Sequence, residues 1–337
     1  MSLPPDVAES NVVLLLFAKS KKPTEVWQAL FKDLHQNLKP QLQRSHQDLF
    51  PRPSFLDNDN GRVASLHLLL NSPPILRNLK SLTDTSLAPF QQTHDVELIL
   101  QPTPLFLAHN LPGLCVFDMD STLIQQEVID ELARVVGVYD KVSAITEAAM
   151  RGEEPYTDFE ASLRARVGYL KGVPTGIWQE MKTSGIITFT PGARELTKVL
   201  KGLGWKMAVL SGGFTPLAEW VKGELGLDYC FANNLVADEA RQILTGELVE
   251  GKPIIHGLKK QALLKEIAEK EGIPLERVVA VGDGSNDLPM MEVAGLGLAV
   301  NAKPKVQKAA PARLNTNSLR DVLFVLGYRD EEIAKFI

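Results

Sequence analysis

The sequence predicts an α/β protein: a doubly wound, mostly parallel sheet with an inserted helical block, preceded by a small α+β module. Three observations carry this. First, short apolar runs end in polar or glycine-rich turns: Leu114 to Phe117 before Asp118, Lys206 to Leu210 before Ser211-Gly212-Gly213, and Val278 to Val281 before Gly282-Asp283-Gly284. Unbroken runs of this length suit strands buried on both faces. Second, stretches with apolar residues at helical spacing separate them, the alternation that builds parallel sheets. Third, Gln126 to Gly185 holds four helical segments punctuated by Gly137, Gly152, Gly172 and Gly185, more than a simple crossover needs.

Composition narrows the function classes. The chain has 337 residues, enough for about two or three domains. Hydrophobic residues make up 45% and charged residues 23%, as in an ordinary globular protein. A net charge of -5 argues against a dedicated nucleic-acid binder. The two cysteines, Cys115 and Cys230, sit in apolar runs and read as small buried hydrophobes in a reducing compartment. The early apolar run Val12 to Ala18 is too short to span a bilayer, and Asp6 and Glu9 before it are unlike a leader, so a cytoplasmic location is expected.

In order, residues 1–100 read as the N-terminal α+β module, a regulatory or docking unit without a catalytic constellation. Val12 to Ala18 suits a strand, and Val26, Leu30, Phe31 and Leu34 mark a helix from Pro23 to about Leu38. The polar, Pro/Asn/Asp-rich residues 39–61 suit a loop. Val63 to Leu70 reads as a strand, Ile75 to Leu82 as a short helix and Val96 to Leu100 as a strand. Pro102, Pro104, Pro112 and Gly113 mark residues 101–113 as a linker. The catalytic core then takes residues 114–125 and 186–337, and residues 126–185 form a helical cap.

After the cap, Pro191-Gly192 opens a helix stopped by Gly204, and Thr215 to Leu225 is another. Tyr229 to Leu235 is a strand, and residues 236–254 suit a hairpin. A helix is expected over Leu258 to Glu271 and a strand over Leu296 to Val300.

The chemistry gathers at the strand ends. Two acids one residue apart, Asp118 and Asp120, follow a buried strand, where carboxylates are costly without a task. Alone, Asp118, Ser121 and Thr122 would also suit a helix-capping turn. If the three strands are neighbours, Asp118/Asp120, Ser211-Gly212-Gly213 and Gly282 to Asp287 meet at one edge. The clustered carboxylates repel each other, and an all-oxygen ligand set at a phosphate site favours Mg²⁺. Glycine-rich turns and the Ser211 hydroxyl offer donors to phosphate oxygens. Lys260, 23 residues before Asp283, can reach the same edge. A cation, a metal and a hydroxyl around a carboxylate describe phosphoryl transfer through an aspartyl-phosphate.

These motifs, D-M-D-S-T at 118–122, S-G-G at 211–213, Lys260 and G-D-G-S-N-D at 282–287, resemble those of the haloacid-dehalogenase superfamily of phosphatases. Within it, Glu127 in STLIQQEVID, FEASLRARVGYLKG at 159–172 and VLSGGF at 209–214 are similar to the phosphoserine-hydrolysing branch, from about Leu114 to the C-terminus. The tail NAKPKVQKAAPARLNT at 301–316 resembles its fungal form. In relatives the N-terminal region resembles an ACT-type regulatory fold. The resemblance implies hydrolysis of O-phospho-L-serine to L-serine and phosphate, the last step of serine biosynthesis. Asp118 would be the nucleophile and Asp120 the general acid, then base. The Asp118 and Asp283 carboxylates and the Asp120 main-chain carbonyl would hold Mg²⁺, with Asp287 supporting. Ser211, Gly212 and Lys260 would bind the phosphoryl group, and Asn286 would position substrate and water. Glu127 would pair with the substrate ammonium and Arg166 with its carboxylate.

Some of these residues have plainer readings. Arg166 shares a helical stripe with Phe159, Leu163 and Leu170, so it needs a partner, whether substrate or a structural ion pair. Arg164 reads as solvated, and Glu127 and Lys260 alone would be ordinary surface charges. His109 and His256 lack metal-ligand spacing. Competing functions are a phosphatase for another small phosphomonoester, a receiver module that keeps its phosphate, and a non-enzymatic amino-acid sensor. Asp120 argues against the receiver, and the intact motifs argue against the sensor. The expected partner is the small-molecule substrate, with a homodimer left open and neither nucleic acid nor membrane involved.

Overall fold

The computed structural model describes residues 10–48, 50–57, 61–72 and 74–337. Residues 1–9, which the expectation of no leader concerns, lie outside that range. So do Leu49 and residues 58–60 of the expected 39–61 loop.

The N-terminal elements are β1 (Val12–Ala18), α1 (Thr24–Leu38), α2 (Arg44–Asp48), β2 (Ser54–Phe55), β3 (Val63–Leu68), α3 (Leu76–Asp84), α4 (Ala88–His94) and β4 (Val96–Pro102). They form an antiparallel sheet in the order β2-β3-β1-β4. This β-α-β-β-α-β arrangement is ferredoxin-like. The expected loop over 39–61 is partly structured instead. Pro40 stands in a first helical turn, where its missing N–H costs nothing. Its polar residues serve the backbone: the Gln47 side chain donates to the Leu42 carbonyl, 2.7 Å, and His46 Nδ1 accepts from the Leu69 N–H, 2.9 Å.

Every residue of β1 is buried, because both faces of this sheet are covered. Leu14 and Leu16 pack with Trp27, Leu30, Leu34 and Phe90 of the flanking helices. Val13, Leu15 and Phe17 join the same apolar core as Leu319, Phe324 and Ile333 near the C-terminus. The sheet is therefore fused to the rest of the molecule rather than tethered to it.

Residues 101–113, expected as a linker, contain the end of β4 and α5 (Thr103–Ala108). Pro104 begins this helix instead of breaking it. Gln101 donates to the Val325 carbonyl, 2.8 Å, and the Tyr328 hydroxyl donates to the His109 carbonyl, 3.0 Å.

From β5 (Leu114–Phe117) the chain enters α6 (Val128–Val135), α7 (Tyr139–Arg151), α8 (Phe159–Gly168) and α9 (Ile177–Thr183). It returns through α10 (Ala193–Gly202), β6 (Lys206–Phe214), α11 (Thr215–Leu225) and β7 (Tyr229–Asn233). A hairpin, β8 (Leu235–Asp238) and β9 (Ile243–Leu248), precedes α12 (Gly257–Lys270) and β10 (Val278–Gly282). The chain finishes with α13 (Leu288–Val293), β11 (Leu296–Val300), α14 (Pro304–Ala309), β12 (Ala312–Leu314), α15 (Asp321–Val325) and α16 (Asp330–Ile333). The sequence reading did not anticipate the elements after β11. The parallel sheet runs β12-β11-β10-β5-β6-β7, so the three motif-bearing strands β10, β5 and β6 are neighbours in the middle.

Two tethers hold the helices α6–α9 on the sheet. The segments leading into and out of them pair: Ile124 bridges Phe189, Gln125 N–H donates to the Thr188 carbonyl, 3.0 Å, and Thr190 N–H to the Leu123 carbonyl, 2.9 Å. The β8–β9 hairpin grips them from the other side. Gly172 N–H donates to the Leu244 carbonyl, 2.9 Å, and Leu244 N–H to the Val173 carbonyl, 2.8 Å.

Candidate active site

Parallel register puts the ends of β5, β6 and β10 at one edge, where open α/β sheets bind ligands. Asp118 stands one residue past β5, its N–H bonded to the Val281 carbonyl of β10, 2.9 Å. Its Oδ1 accepts from the Met119 N–H, 2.8 Å, and from Lys260 Nζ, 2.7 Å. The capping role weighed for Asp118 is thus present alongside the ion pair. The backbone then kinks: Ser121 adopts φ +54, a left-handed conformation that costs a non-glycine residue free energy. Its hydroxyl donates to Glu127 Oε1, 2.7 Å, and fixes that carboxylate at the mouth.

Lys260 is fully buried. Its ammonium also bonds Asp287 Oδ1, 2.7 Å, so it bridges the ends of β5 and β10. Burial opposes its charge, but Asp118 and Asp287 outweigh that and hold its pKa above the ordinary value. Asp287 Oδ2 accepts from the Gly284 N–H, 3.0 Å, and Thr122 donates to Asp283 Oδ1, 3.0 Å. Burial and the Asp118 charge push Asp283 up to about 7 and Asp287 up to about 8. Burial, with Glu127 and Asp118 beside it, also raises Asp120 well above the carboxylate range, and its Oδ1 is buried without a partner. Carboxylate oxygens of Asp118, Asp283 and Asp287 lie within 4.8 Å of one another. This all-oxygen, mutually repelling set fits a hard divalent cation.

The expected turn at Ser211-Gly212-Gly213 is not a turn. β6 continues through it to Phe214, and its register with β7 shifts between Leu210 and Phe214. An irregularity lets a strand aim a backbone stretch at a site without leaving the sheet. Ser211 Oγ accepts from the Gly213 N–H, 2.8 Å. Gly213 lies so close to Asp120 that an added Cβ would stand 2.8 Å from Oδ2. Asn233, buried at the end of β7, donates to the Gly212 carbonyl, 2.8 Å, and accepts from the Ile255 N–H, 2.9 Å. A Cβ on Gly212 would meet Phe159 of α8 at 3.3 Å and Asn286 at 3.7 Å, so Phe159 and Asn286 close over this strand.

Glu127 and Arg166 face each other electrostatically across the mouth. Burial pushes the Glu127 carboxyl up against the opposing Ser121 bond, and burial lowers the Arg166 guanidinium against the pull of Glu127 and Asp130. Arg166 Nε donates to the Ser162 carbonyl, 3.3 Å. The structural ion pair weighed for Arg166 is not formed within 4.0 Å among the described residues. Arg164 points away and pairs with Glu160, 2.7 Å, at the surface. The two histidines without metal-ligand spacing lie elsewhere: His256 N-caps α12, and His109 is buried against Trp205. Cys115 is buried and Cys230 half-buried, and both are free thiols.

Sequence reasoning missed Ser121, Thr122 and Asn233 as supports and Phe159 as a wall. The apolar stripe of α8 signalled Phe159. A buried asparagine at a strand end has no such signal.

A parallel sheet with a lysine-bridged carboxylate centre at the carboxyl ends of its middle strands defines a doubly wound α/β protein with a site for a cation and an anionic ligand. The chain belongs to the haloacid dehalogenase-like hydrolase family, whose model matches residues 115–292. It is 47% identical to a probable phosphoserine phosphatase of Schizosaccharomyces pombe, over 66% of this chain and 73% of that protein. It is 48% identical to a phosphoserine phosphatase of Saccharomyces cerevisiae, over 65% and 69%. A substrate-bound phosphoserine phosphatase structure, 42% identical, superposes with a TM-score of 0.57 over 64% of this chain and 98% of that one. A crystal structure of a haloacid dehalogenase family hydrolase from Salmonella enterica serovar Typhi, 29% identical, reaches 0.73 over 94% and 98%. The last match includes the N-terminal sheet.

Proposed function

We propose that the chain is a phosphoserine phosphatase: it hydrolyses O-phospho-L-serine to L-serine and phosphate, the closing step of serine biosynthesis. The observation that carries this is the mouth of opposite charges, Glu127 and Arg166, set beside the lysine-bridged Asp118. One end of the site takes a phosphoryl group, and the other suits a zwitterion.

The placement of the groups supports the following chemistry. The Asp118 carboxylate attacks phosphorus, and the bond from phosphorus to the seryl oxygen breaks. Asp120, whose Oδ1 has no competing partner, gives its proton to that oxygen. Water then attacks the phosphorus of the aspartyl-phosphate, Asp120 takes the water proton, and the Asp118 carboxylate is restored. Lys260, Ser211 and the Gly212 backbone bind the phosphoryl oxygens, and Asn286 positions substrate and water. The Asp118 and Asp283 carboxylates with the Asp120 carbonyl would hold Mg²⁺, supported by Asp287. Bound there, the ion neutralises phosphoryl charge.

The Glu127 carboxylate accepts from the substrate ammonium, and the Arg166 guanidinium donates to the substrate carboxylate. Helices α6–α9, spanning residues 126–185, act as a cap hinged at the paired segments 124–126 and 185–190, and its closure excludes water. Residues 1–100 act as an ACT-like regulatory module, and the enzyme works in the cytoplasm.

The test is phosphate release from L-phosphoserine, phosphoethanolamine and 3-phosphoglycerate, with and without Mg²⁺. Mg²⁺-dependent preference for phosphoserine over both is expected, since each of the others lacks one charge. Equal rates on all three would sink the substrate assignment while keeping the phosphatase. Arg166→Ala should raise KM for phosphoserine roughly tenfold or more, with a smaller effect on phosphoethanolamine.

A further inference from the structure

Glu127, Asp130 and Arg166 together leave the substrate mouth one charge negative. A substrate that already bears a phosphate and a carboxylate would be repelled from it. A further cation comes from a loop outside the four catalytic motifs. In parallel register Gly282 stands beside Ala299, so Asn301 to Lys303, which follow β11, emerge at the same sheet edge as Asp283 and Asn286. Lys303 is exposed there, and its charge acts on both Glu127 and Asp130.

This loop is not left to itself. Asn301, at φ +47, donates from Nδ2 to the Thr316 carbonyl, 2.9 Å, and accepts the Thr316 N–H on Oδ1, 2.9 Å. The Thr316 hydroxyl bonds buried Asp321, and Asp321 is ion-paired with Arg62 beside β3. A second chain grips the next residue. Gln307 donates to the Ala302 carbonyl, 2.6 Å, and to Asn315 Oδ1, 2.9 Å. Asn315 donates from its backbone, 2.5 Å, and its side chain, 2.9 Å, to Glu97 of β4. Both polar chains therefore run from adjacent loop residues into the N-terminal sheet. Networks of this kind, satisfied at every member, rigidify what they hold.

We propose that Lys303 is a second residue for the substrate carboxylate end, and that the N-terminal module positions it through Arg62 and Glu97. This rests on the phosphoserine reading. Arg166 supplies the directed bond, and Lys303 offsets Asp130, so that the mouth is neutral and no longer repels the incoming carboxylate. The N-terminal sheet then affects substrate binding without touching substrate.

Steady-state kinetics of Lys303→Ala on L-phosphoserine and phosphoethanolamine test the first half. KM for phosphoserine should rise about five- to tenfold with kcat within twofold, and KM for phosphoethanolamine should move less than twofold. An unchanged KM for phosphoserine, or equal changes on both substrates, overturns the role. For the second half, Arg62→Gln/Glu97→Gln should raise KM for phosphoserine in the same selective way and add little to Lys303→Ala, since both act through one group. Hydrogen exchange at residues 301–303 should quicken in that double variant, and unchanged exchange overturns the anchoring. If the double variant does not fold, Glu97→Gln alone takes its place. Wild-type protein that releases phosphate from neither substrate overturns the substrate reading and the Lys303 role with it. The exchange experiment still decides the anchoring.

Discussion

Lys260 shows how much one buried charge can organise. Its ammonium is the only cation within 4.0 Å of Asp118 or Asp287 among the described residues, and all three side chains are buried or nearly so. Removing one partner of a buried network leaves the other charges uncompensated. Lys260→Met should therefore cost about 3–5 kcal/mol in chemical denaturation, and it should reduce phosphate release by more than a hundredfold. Retained stability with lost activity would mean that the two carboxylates share a proton instead. The loss of stability should also shrink when Mg²⁺ is present. From sequence, Lys260 stood out from Lys259 only through its spacing to Asp283 and the family motif. Burial separates them in the structure: Lys260 is inside, and Lys259 is not. His109 is the other buried residue with a clear consequence. Both ring nitrogens lack partners and its pKa falls to about 4 through burial. The unfolded chain therefore binds a proton that the folded one refuses between pH 6.5 and 4. Stability from this group is complete above pH 6.5 and is lost as pH falls to 4, by at most about 3 kcal/mol. His109→Leu should flatten that acid limb in thermal unfolding.

At the scale of elements, β6 is the instructive one. Its apolar run was legible as a strand, but its end was not. Ser211-Gly212-Gly213 carries the signature of a turn. What keeps it in the sheet is tertiary: Asn233 holds the Gly212 carbonyl from β7, and Asp120 and Met119 press on Gly213 from the turn that follows β5. Gly213→Ala tests this. Its Cβ would meet Asp120 Oδ2 at 2.8 Å and Met119 Cε at 3.1 Å, so Asp120 must shift. A displaced acid costs rate more than fold, so kcat should fall about a hundredfold while the thermal midpoint moves little. The helices α6–α9 were legible because glycines end them: Gly152 caps α7 in the left-handed region, and Gly137, Gly172 and Gly185 also have positive φ. The pairing of the β8–β9 hairpin with residues 172–175 was not legible, since no local pattern announces a strand's distant partner.

Over the whole molecule, two sheets share one apolar core, and the acidic site sits where the parallel sheet ends. Asp283 and Asp287 carry raised pKa values because they are buried and because the Asp118 carboxylate crowds them. A bound divalent cation relieves that crowding and must displace protons as pH falls below about 7. Mg²⁺ should therefore raise the thermal midpoint at pH 8 by several degrees and much less at pH 5.5, and chelation should abolish phosphate release. An equal shift at both pH values would place the ion elsewhere. No helix among the described residues is long and apolar enough to cross a membrane.

By itself the sequence determined the parallel sheet, its three motif-bearing strands and the residues at their ends. Unbroken apolar runs, glycine stops and paired carboxylates are local signals, and their chemistry does not depend on what lies far away in the chain. Tertiary structure decided what is non-local. It made the supposed linker of residues 101–113 a packed helix, covered both faces of the N-terminal sheet and carried β6 through its glycines. It also tied residues 301–303 to Arg62 and Glu97. Each of these depends on a partner tens to hundreds of residues away, and only burial against that partner sets the free energy that fixes it.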